Sequence, residues 1–242
     1  MAQENKAWGY DRIAGALANL GHQLSDQTIG NILKRHGIGP APKRCQNTTW
    51  KEFIAANMAV LSGVDFFTVE VLTWRGLVTY HVLFFLHLES RRVTLSGITH
   101  PTETWITQMA RNAVDDPAGA ARQCRYLLHD RDAKFCVAFQ DVFASEGIRC
   151  LKLPPRSPNL NAFAERWVRS VKEECLSKLI LFGECSLHRA VTEFVAHFHS
   201  ERNHLGKGNA LLFPAPATIT TRRHVRCRER LGGLLRYYCR AA

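Results

Sequence analysis

Three carboxylates stand where their neighbours give them chemical meaning. Asp65 sits in the apolar run Val64-Asp65-Phe66-Phe67, Asp130 directly follows Tyr126-Leu127-Leu128-His129, and Glu165 follows Asn161-Ala162-Phe163-Ala164 at the start of a helical pattern. An ionised, unpaired acid in an apolar strand costs several kcal/mol. Asp65 therefore needs a cation, a hydrogen-bond network or a sheet edge, unless it simply faces solvent on an alternating strand. If the strands bearing Asp65 and Asp130 are neighbours and a helix brings Glu165 across their ends, three like charges meet. At about 4 Å each pair costs about 1 kcal/mol in water and about 4 kcal/mol at an effective dielectric near 20. Divalent cations remove that repulsion, and hard oxygen ligands select Mg²⁺ or Mn²⁺. Two such ions, roughly 4 Å apart, clamp the attacking and leaving oxygens of an in-line phosphoryl displacement.

The helix that carries Glu165 adds cations. At about 100° per residue, Glu165, Arg169 and Lys172 lie within roughly 60° of one another, while Ala164, Trp167, Val168, Val171 and Cys175 cluster on the other side. An acid with two cations behind it is what a phosphodiester-cutting site needs; the same row also reads as ordinary surface ion pairing. The elements that must position these groups follow from pattern. Val64 to Leu72, Val78 to Leu88 and Val93 to Thr99 are β-branched and aromatic runs joined by short turns, which makes an antiparallel meander. A helix from Thr102 to Val114, a strand from Arg125 to Leu128, a helix from Phe135 to Ser145 and a strand from Ile148 to Leu153 imply a parallel crossover. Helices over Ala162–Leu181 and Leu187–His199 complete an α/β fold, a mixed five-stranded sheet flanked by helices.

Ahead of this body, Tyr10, Ile13, Ala14, Leu17 and Leu20 are spaced as one helix face. Ser25 or Asp26 can cap a second helix that buries Ile29, Ile32 and Leu33 and shows Thr28, Asn31, Lys34 and Arg35 on its other side. That pattern reads as a small N-terminal helix-turn-helix with its second helix in a DNA major groove, or as a helical hairpin with a solvated charged face.

Gly63-Val64-Asp65-Phe66-Phe67, then Leu127-Leu128-His129-Asp130-Arg131-Asp132-Ala133-Lys134-Phe135, then Ser157-Pro158-Asn159-Leu160-Asn161-Ala162-Phe163-Ala164-Glu165-Arg166 resembles the integrase catalytic core of retroviral integrases and bacterial insertion-sequence transposases. Glu165 lies 35 positions after Asp130, close to that family's D-x(35)-E pattern. The resemblance covers roughly residues 50–215 and implies a ribonuclease H-like fold. It implies that Asp65, Asp130 and Glu165 are the catalytic, metal-binding triad for two Mg²⁺ (or Mn²⁺) ions. It also implies a DNA transposase that cleaves and joins strands at insertion-element ends, with double-stranded DNA, both element ends and target, as its partner. Arg169 and Lys172 would hold the DNA end, and Thr28, Asn31, Lys34 and Arg35 the terminal duplex. Joining two ends needs at least two copies, so a homo-oligomer on DNA is expected. Where the family often has Asp-Asn-Gly, this chain has Asp130-Arg131-Asp132, which makes Asp132 a rival second ligand. The retroviral His/Cys zinc module is absent. Two other classes stay open: a non-catalytic DNA-binding remnant or regulator, and a ribonuclease H-like nuclease that cuts without joining.

The organisation expected is a partial helix-turn-helix region at 1–39, a linker at 40–50, a catalytic core at 51–214 and a basic C-terminal tail at 215–242. Thirty-two Lys and Arg against 21 Asp and Glu give a net charge of +11, which points to a polyanionic partner. From Thr221 onward seven arginines face one acid, Glu229, and such tails neutralise phosphates without reading sequence; the same tail could simply be solvated. No run of about 18 apolar residues and no signal peptide is evident, so a cytoplasmic, bacterial, DNA-associated protein without membrane contact is expected. The eight cysteines include no CxxC pair and read as reduced, mostly packed thiols. The histidines, His197, His199 and His204 among them, read as surface or hydrogen-bonded groups rather than ligands.

Overall fold

A computed structural model describes residues 1–41, 50–122, 124–154, 161–214 and 224–240. Residues 42–49 of the expected linker, the prolines at 155 and 158 ahead of Glu165, and residues 215–223 of the tail lie outside the described residues. The chain divides into two units, Met1–Ala56 and Asn57–Ala242.

The first unit holds α1 (Tyr10–Ala18), α2 (Asp26–Arg35) and all but the last residue of α3 (Trp50–Asn57). Ser25 is the cap of α2: its hydroxyl accepts the Thr28 N–H at 3.3 Å. Ile13, Ile29, Leu33 and Ala2 form a small core, with Trp8, Tyr10, Ala14 and Leu17 against it. Leu20 and Ile32, expected inside, are 65% and 39% exposed. Gly21 follows Leu20 with φ +87 and turns the chain off the apolar face.

The second unit is built on β1 (Leu61–Thr73), β2 (Gly76–His87), β3 (Val93–Thr99), β4 (Tyr126–His129) and β5 (Arg149–Lys152), in the order β3-β2-β1-β4-β5. The β1–β2 and β2–β3 pairs are antiparallel; β4 runs parallel to β1, and β5 to β4. This is the mixed five-stranded sheet flanked by helices that the patterns predict, with the ribonuclease H-like strand order. Helices α4 (Glu103–Asp115) and α5 (Val137–Ser145) cover one face over Val64, Leu83, Phe85, Ile106, Phe139 and Phe143. On the other face α6 (Ala162–Glu174) and α7 (Gly183–Ser200) press Trp167 against Phe67 and Phe84, with ring centroids 5.7 and 4.3 Å apart. With both faces covered, Leu61 to Val64 are buried without alternation. The carboxy-terminal hairpin is β6 (Val225–Arg230) and β7 (Leu235–Arg240).

α6 stops at Glu174, short of the Leu181 expected. A 3₁₀ turn follows at Leu176–Lys178, and the Leu181 carbonyl then accepts the Leu72 N–H at 3.0 Å, so the segment becomes extended to meet the end of β1. Gly97 of β3 marks a close approach: an added Cβ would stand 2.5 Å from Trp105 Cζ2 and 2.8 Å from Met109 Sδ, both on α4. Gly97→Ala should therefore cost about 1–3 kcal/mol by overpacking and lower the urea midpoint at unchanged slope. An unchanged midpoint would mean that α4 yields without cost.

Candidate active site

The register of the sheet brings the acids to one edge. The last β1–β4 pair is Gly63 with Leu128. Asp65 and Asp130 each stand two residues further along these parallel strands, Asp65 inside the longer β1 and Asp130 just past the carboxyl end of β4, the kind of end where ligands gather in open α/β sheets. Asp65 lies within β1, opposite Phe84 on β2. Asp130 is exposed, just beyond β4, and Glu165 is exposed in the first turn of α6.

Asp65 is the buried member. Its Oδ1 accepts the Phe66 N–H at 2.8 Å and its Oδ2 accepts Asn161 Nδ2 at 3.1 Å. Burial pushes its carboxyl up to about 7, against the lowering by Phe66, and the negative charges of Asp130, Glu165 and Asp132 add to the rise. All four acids thus share one electrostatic neighbourhood. Asp132 differs in kind. Its Oδ2 is 2.7 Å from Lys134 Nζ and its Oδ1 accepts the Lys134 N–H at 2.9 Å. Burial alone would raise its carboxyl, but Lys134 holds it below the usual range. Asp130 Oδ1 accepts the Asp132 N–H at 3.0 Å.

Among the described residues no group of three or more His, Cys, Asp and Glu side chains is gathered closely enough to hold a metal ion. What Asp65, Asp130 and Glu165 offer is oxygen donors only, and ionisation of the buried Asp65 is opposed first by burial and then by the charges of the other acids. That donor chemistry fits a hard divalent ion, which would relieve the repulsion the three acids impose on one another.

α6 divides as its periodicity predicts. Ala164, Trp167, Val171 and Cys175 are buried, while Glu165, Arg169 and Lys172 are exposed. Glu165 and Arg169 form no ion pair among the described residues, and Lys172 Nζ lies 6.0 Å from the Phe67 ring centroid. Thr28, Asn31, Lys34 and Arg35 are all exposed on α2 of the other unit, and the Thr28 hydroxyl lies 2.9 Å from that of Ser25.

Two groups at the site escaped the sequence reading. Asn161 reaches Asp65 from 96 positions away, and Gly63 leaves room for it: a Cβ there would stand 3.0 Å from Asn161 Oδ1. Lys134, which neutralises Asp132, is legible only as the nearest cation in Asp132-Ala133-Lys134. His129 is buried and its Nδ1–H donates to the Asp130 carbonyl at 2.7 Å, which fixes the backbone at the end of β4. Of the histidines after it, His197, His199 and His204 are hydrogen-bonded within the fold. His199 Nε2 accepts the Val93 N–H at 2.9 Å, and His204 Nε2–H donates to the Phe198 carbonyl at 2.7 Å.

No family model matches the chain, and no curated protein does. Solved structures similar to it include the catalytic core domain of BIV integrase, at 15% identity over 61% of this chain and 88% of that one, with a TM-score of 0.43. The HTLV-2 integrase catalytic core domain in complex with magnesium is similar at 13% identity, over 64% and 93%, with a TM-score of 0.48. The simian T-cell lymphotropic virus intasome in complex with PP2A regulatory subunit B56 gamma contains a chain similar at 14% identity, over 74% and 66%, with a TM-score of 0.48.

Proposed function

We propose that this chain is a DDE-type DNA strand-transfer enzyme of bacterial insertion-sequence origin. Water attacks a phosphodiester at an element end and frees a 3′-hydroxyl, which then attacks a target phosphodiester in line and displaces the target strand's own 3′-oxygen, without a covalent protein–DNA intermediate. The observation that supports this reading is that Asp130 and Glu165, with Asp132, lie near enough to the buried Asp65 for their charges to add to the opposition that burial sets against its ionisation. The motif resemblance around the same three residues supports it from the sequence side.

Asp65, Asp130 and Glu165 would hold two Mg²⁺ or Mn²⁺ ions, which when bound supply charge neutralisation for the attacking and leaving oxygens. Asn161 Nδ2 and the Phe66 N–H fix the Asp65 carboxylate, so its orientation does not have to be found during the reaction. Arg169 and Lys172 grip DNA phosphates beside Glu165 on the exposed face of α6. Lys134 keeps Asp132 engaged, which favours Asp130 over Asp132 as the second ligand. The α1–α2 pair acts as a helix-turn-helix that presents Thr28, Asn31, Lys34 and Arg35 to the terminal duplex. Two or more copies assemble on paired ends in the bacterial cytoplasm.

The test uses labelled duplex ends with Mg²⁺. Joined product is expected from the unaltered chain; cleavage without joining would make it a nuclease, and binding without cleavage a regulator. Asp130→Asn should abolish cleavage while duplex affinity stays within about twofold, since a phosphate-gripping surface lies elsewhere. Survival of cleavage in Asp130→Asn with its loss in Asp132→Asn would transfer the ligand role to Asp132.

A further inference from the structure

A cavity of about 420 Å³ opens on the Trp167 side of α6, between that helix, the β2–β3 turn and the segment after α7. That volume suits a small ligand or one group of a larger one. Its wall contains Arg91, Arg166, Arg202 and Lys207, and no Asp or Glu. Arg202 has its own acid, Glu174, at 2.8 and 2.5 Å. Among the described residues no carboxylate stands at ion-pair distance from Arg91, Arg166 or Lys207.

Arg91 is held rather than free. Its guanidinium carbon lies 3.2 Å from the Phe163 ring centroid, its N–H donates to the His87 carbonyl at 2.9 Å, and its backbone takes φ +61, sparsely populated by residues other than glycine. Yet its Nη1 is buried with no hydrogen-bond partner. Burial, and then the charge of Arg166, draw its pKa down to about 10. Trp167, 1% exposed on the same wall, likewise leaves its Nε1–H unmet. Buried donors without partners are rare, and two of them beside three cations without acids describe a wall built for an anion. A stacked guanidinium presents its N–H fork in a fixed plane, which matches the paired oxygens of a phosphate better than a spherical halide.

The geometry points to a phosphate-binding site in this cavity, distinct from the carboxylate cluster, in which Arg91, Arg166 and Lys207 hold a phosphomonoester or phosphodiester and Ser170 supplies a hydroxyl. The phosphate could belong to a small phosphorylated ligand or to a DNA strand. Neither source depends on the acids being catalytic.

The full chain is titrated calorimetrically with sodium phosphate at constant ionic strength, with sodium chloride and sodium acetate as comparisons. Saturable binding of phosphate alone is expected. It should weaken at least about tenfold in Arg166→Gln and in Lys207→Gln, since each removes a charge-assisted hydrogen bond. Both residues are exposed, so the variants should keep the melting transition of the parent; Arg91→Gln, which loses the Phe163 stack, is the riskier third. The same proteins are then tested against a labelled duplex with phosphate as competitor. Competition, with a matching loss in the variants, identifies DNA as the source. Phosphate binding lost with duplex binding unchanged identifies a small ligand. Equal responses to phosphate, chloride and acetate, or variants that bind phosphate like the parent, would overturn the assignment. So would duplex binding that weakens in the variants but ignores phosphate.

Discussion

Asp65→Asn is expected to make the metal-free protein more stable at pH 8 while it removes DNA cleavage. The carboxyl titrates near 3.8 in an unfolded chain and near 7 in the fold, mainly because it is buried and secondarily because Asp130, Glu165 and Asp132 surround it. Between those values the unfolded chain has released a proton that the folded chain keeps, so stability falls as pH rises through that window and stays low above it. About three pH units correspond to at most about 4 kcal/mol. Asn carries no charge at any pH, and its Oδ1 can still accept the Phe66 N–H. The thermal midpoint at pH 8 should rise by about 5–10 °C, and the decline from pH 4 to pH 7 should flatten. Mg²⁺ or Mn²⁺ should raise the midpoint of the unaltered chain at pH 8, do little at pH 5, and do nothing for the variant. Cleavage should fall by about 10³-fold or more, the equivalent of several kcal/mol of charge stabilisation. A residue that only supported the fold would lose stability and activity together. A midpoint in Asp65→Asn at or below that of the parent at pH 8, or equal metal shifts in both, would remove Asp65 from the site.

The same residue shows how far the sequence reaches. Its place inside an apolar strand is visible, because β-branched and aromatic runs mark β1 to β3 and the Arg75-Gly76 turn separates the first two. The positions of Asp130 after β4 and of Glu165 in the first turn of α6 are visible for the same reason. What surrounds Asp65 is not. Asn161 is an ordinary residue before a helix until the fold carries it across to β1, and no local period encodes a contact between residues 96 positions apart. The early end of α6 has a like cause. Its apolar spacing continues toward Leu181, but the Leu181 carbonyl pairs with β1, and a nonlocal hydrogen bond overrides helix propensity. Charge is legible in total and not in use: Arg166 and Lys207 count equally with Arg169 in the net +11, although only the fold gathers the first two in a cavity with Arg91.

The arginine-rich tail makes the same distinction testable. Arg230 should prove structural, and Arg230→Met should cost about 3–5 kcal/mol, the range for stranding a buried charge. Glu201 is the charge at risk, with a side chain 1% exposed. Arg230 meets it through Nε and Nη2, both at 2.8 Å, and reaches Glu193 through Nη1 at 2.7 Å. Arg228 at 3.2 Å and His197 at 3.1 Å complete the shell. Burial alone would raise the Glu201 carboxyl, but Arg230, with His197 and Arg228, brings it down to about 2. A depressed carboxyl contributes stability above its unfolded value near 4.5 and loses it as pH falls through the folded one, so the parent should weaken between about pH 4.5 and pH 2. In Arg230→Met the folded value moves back up toward the unfolded one, so that acid limb should shrink. Arg236→Gln is the control: Arg236 pairs with Glu229 at 3.2 Å with both side chains more than half exposed, and such a pair contributes less than about 1 kcal/mol. The double variant Arg230→Met/Glu201→Leu should recover most of the loss, because an apolar pair leaves no charge stranded. If Arg230→Met costs no more than Arg236→Gln in a urea melt, Arg230 does not pin the β6–β7 hairpin to the end of α7.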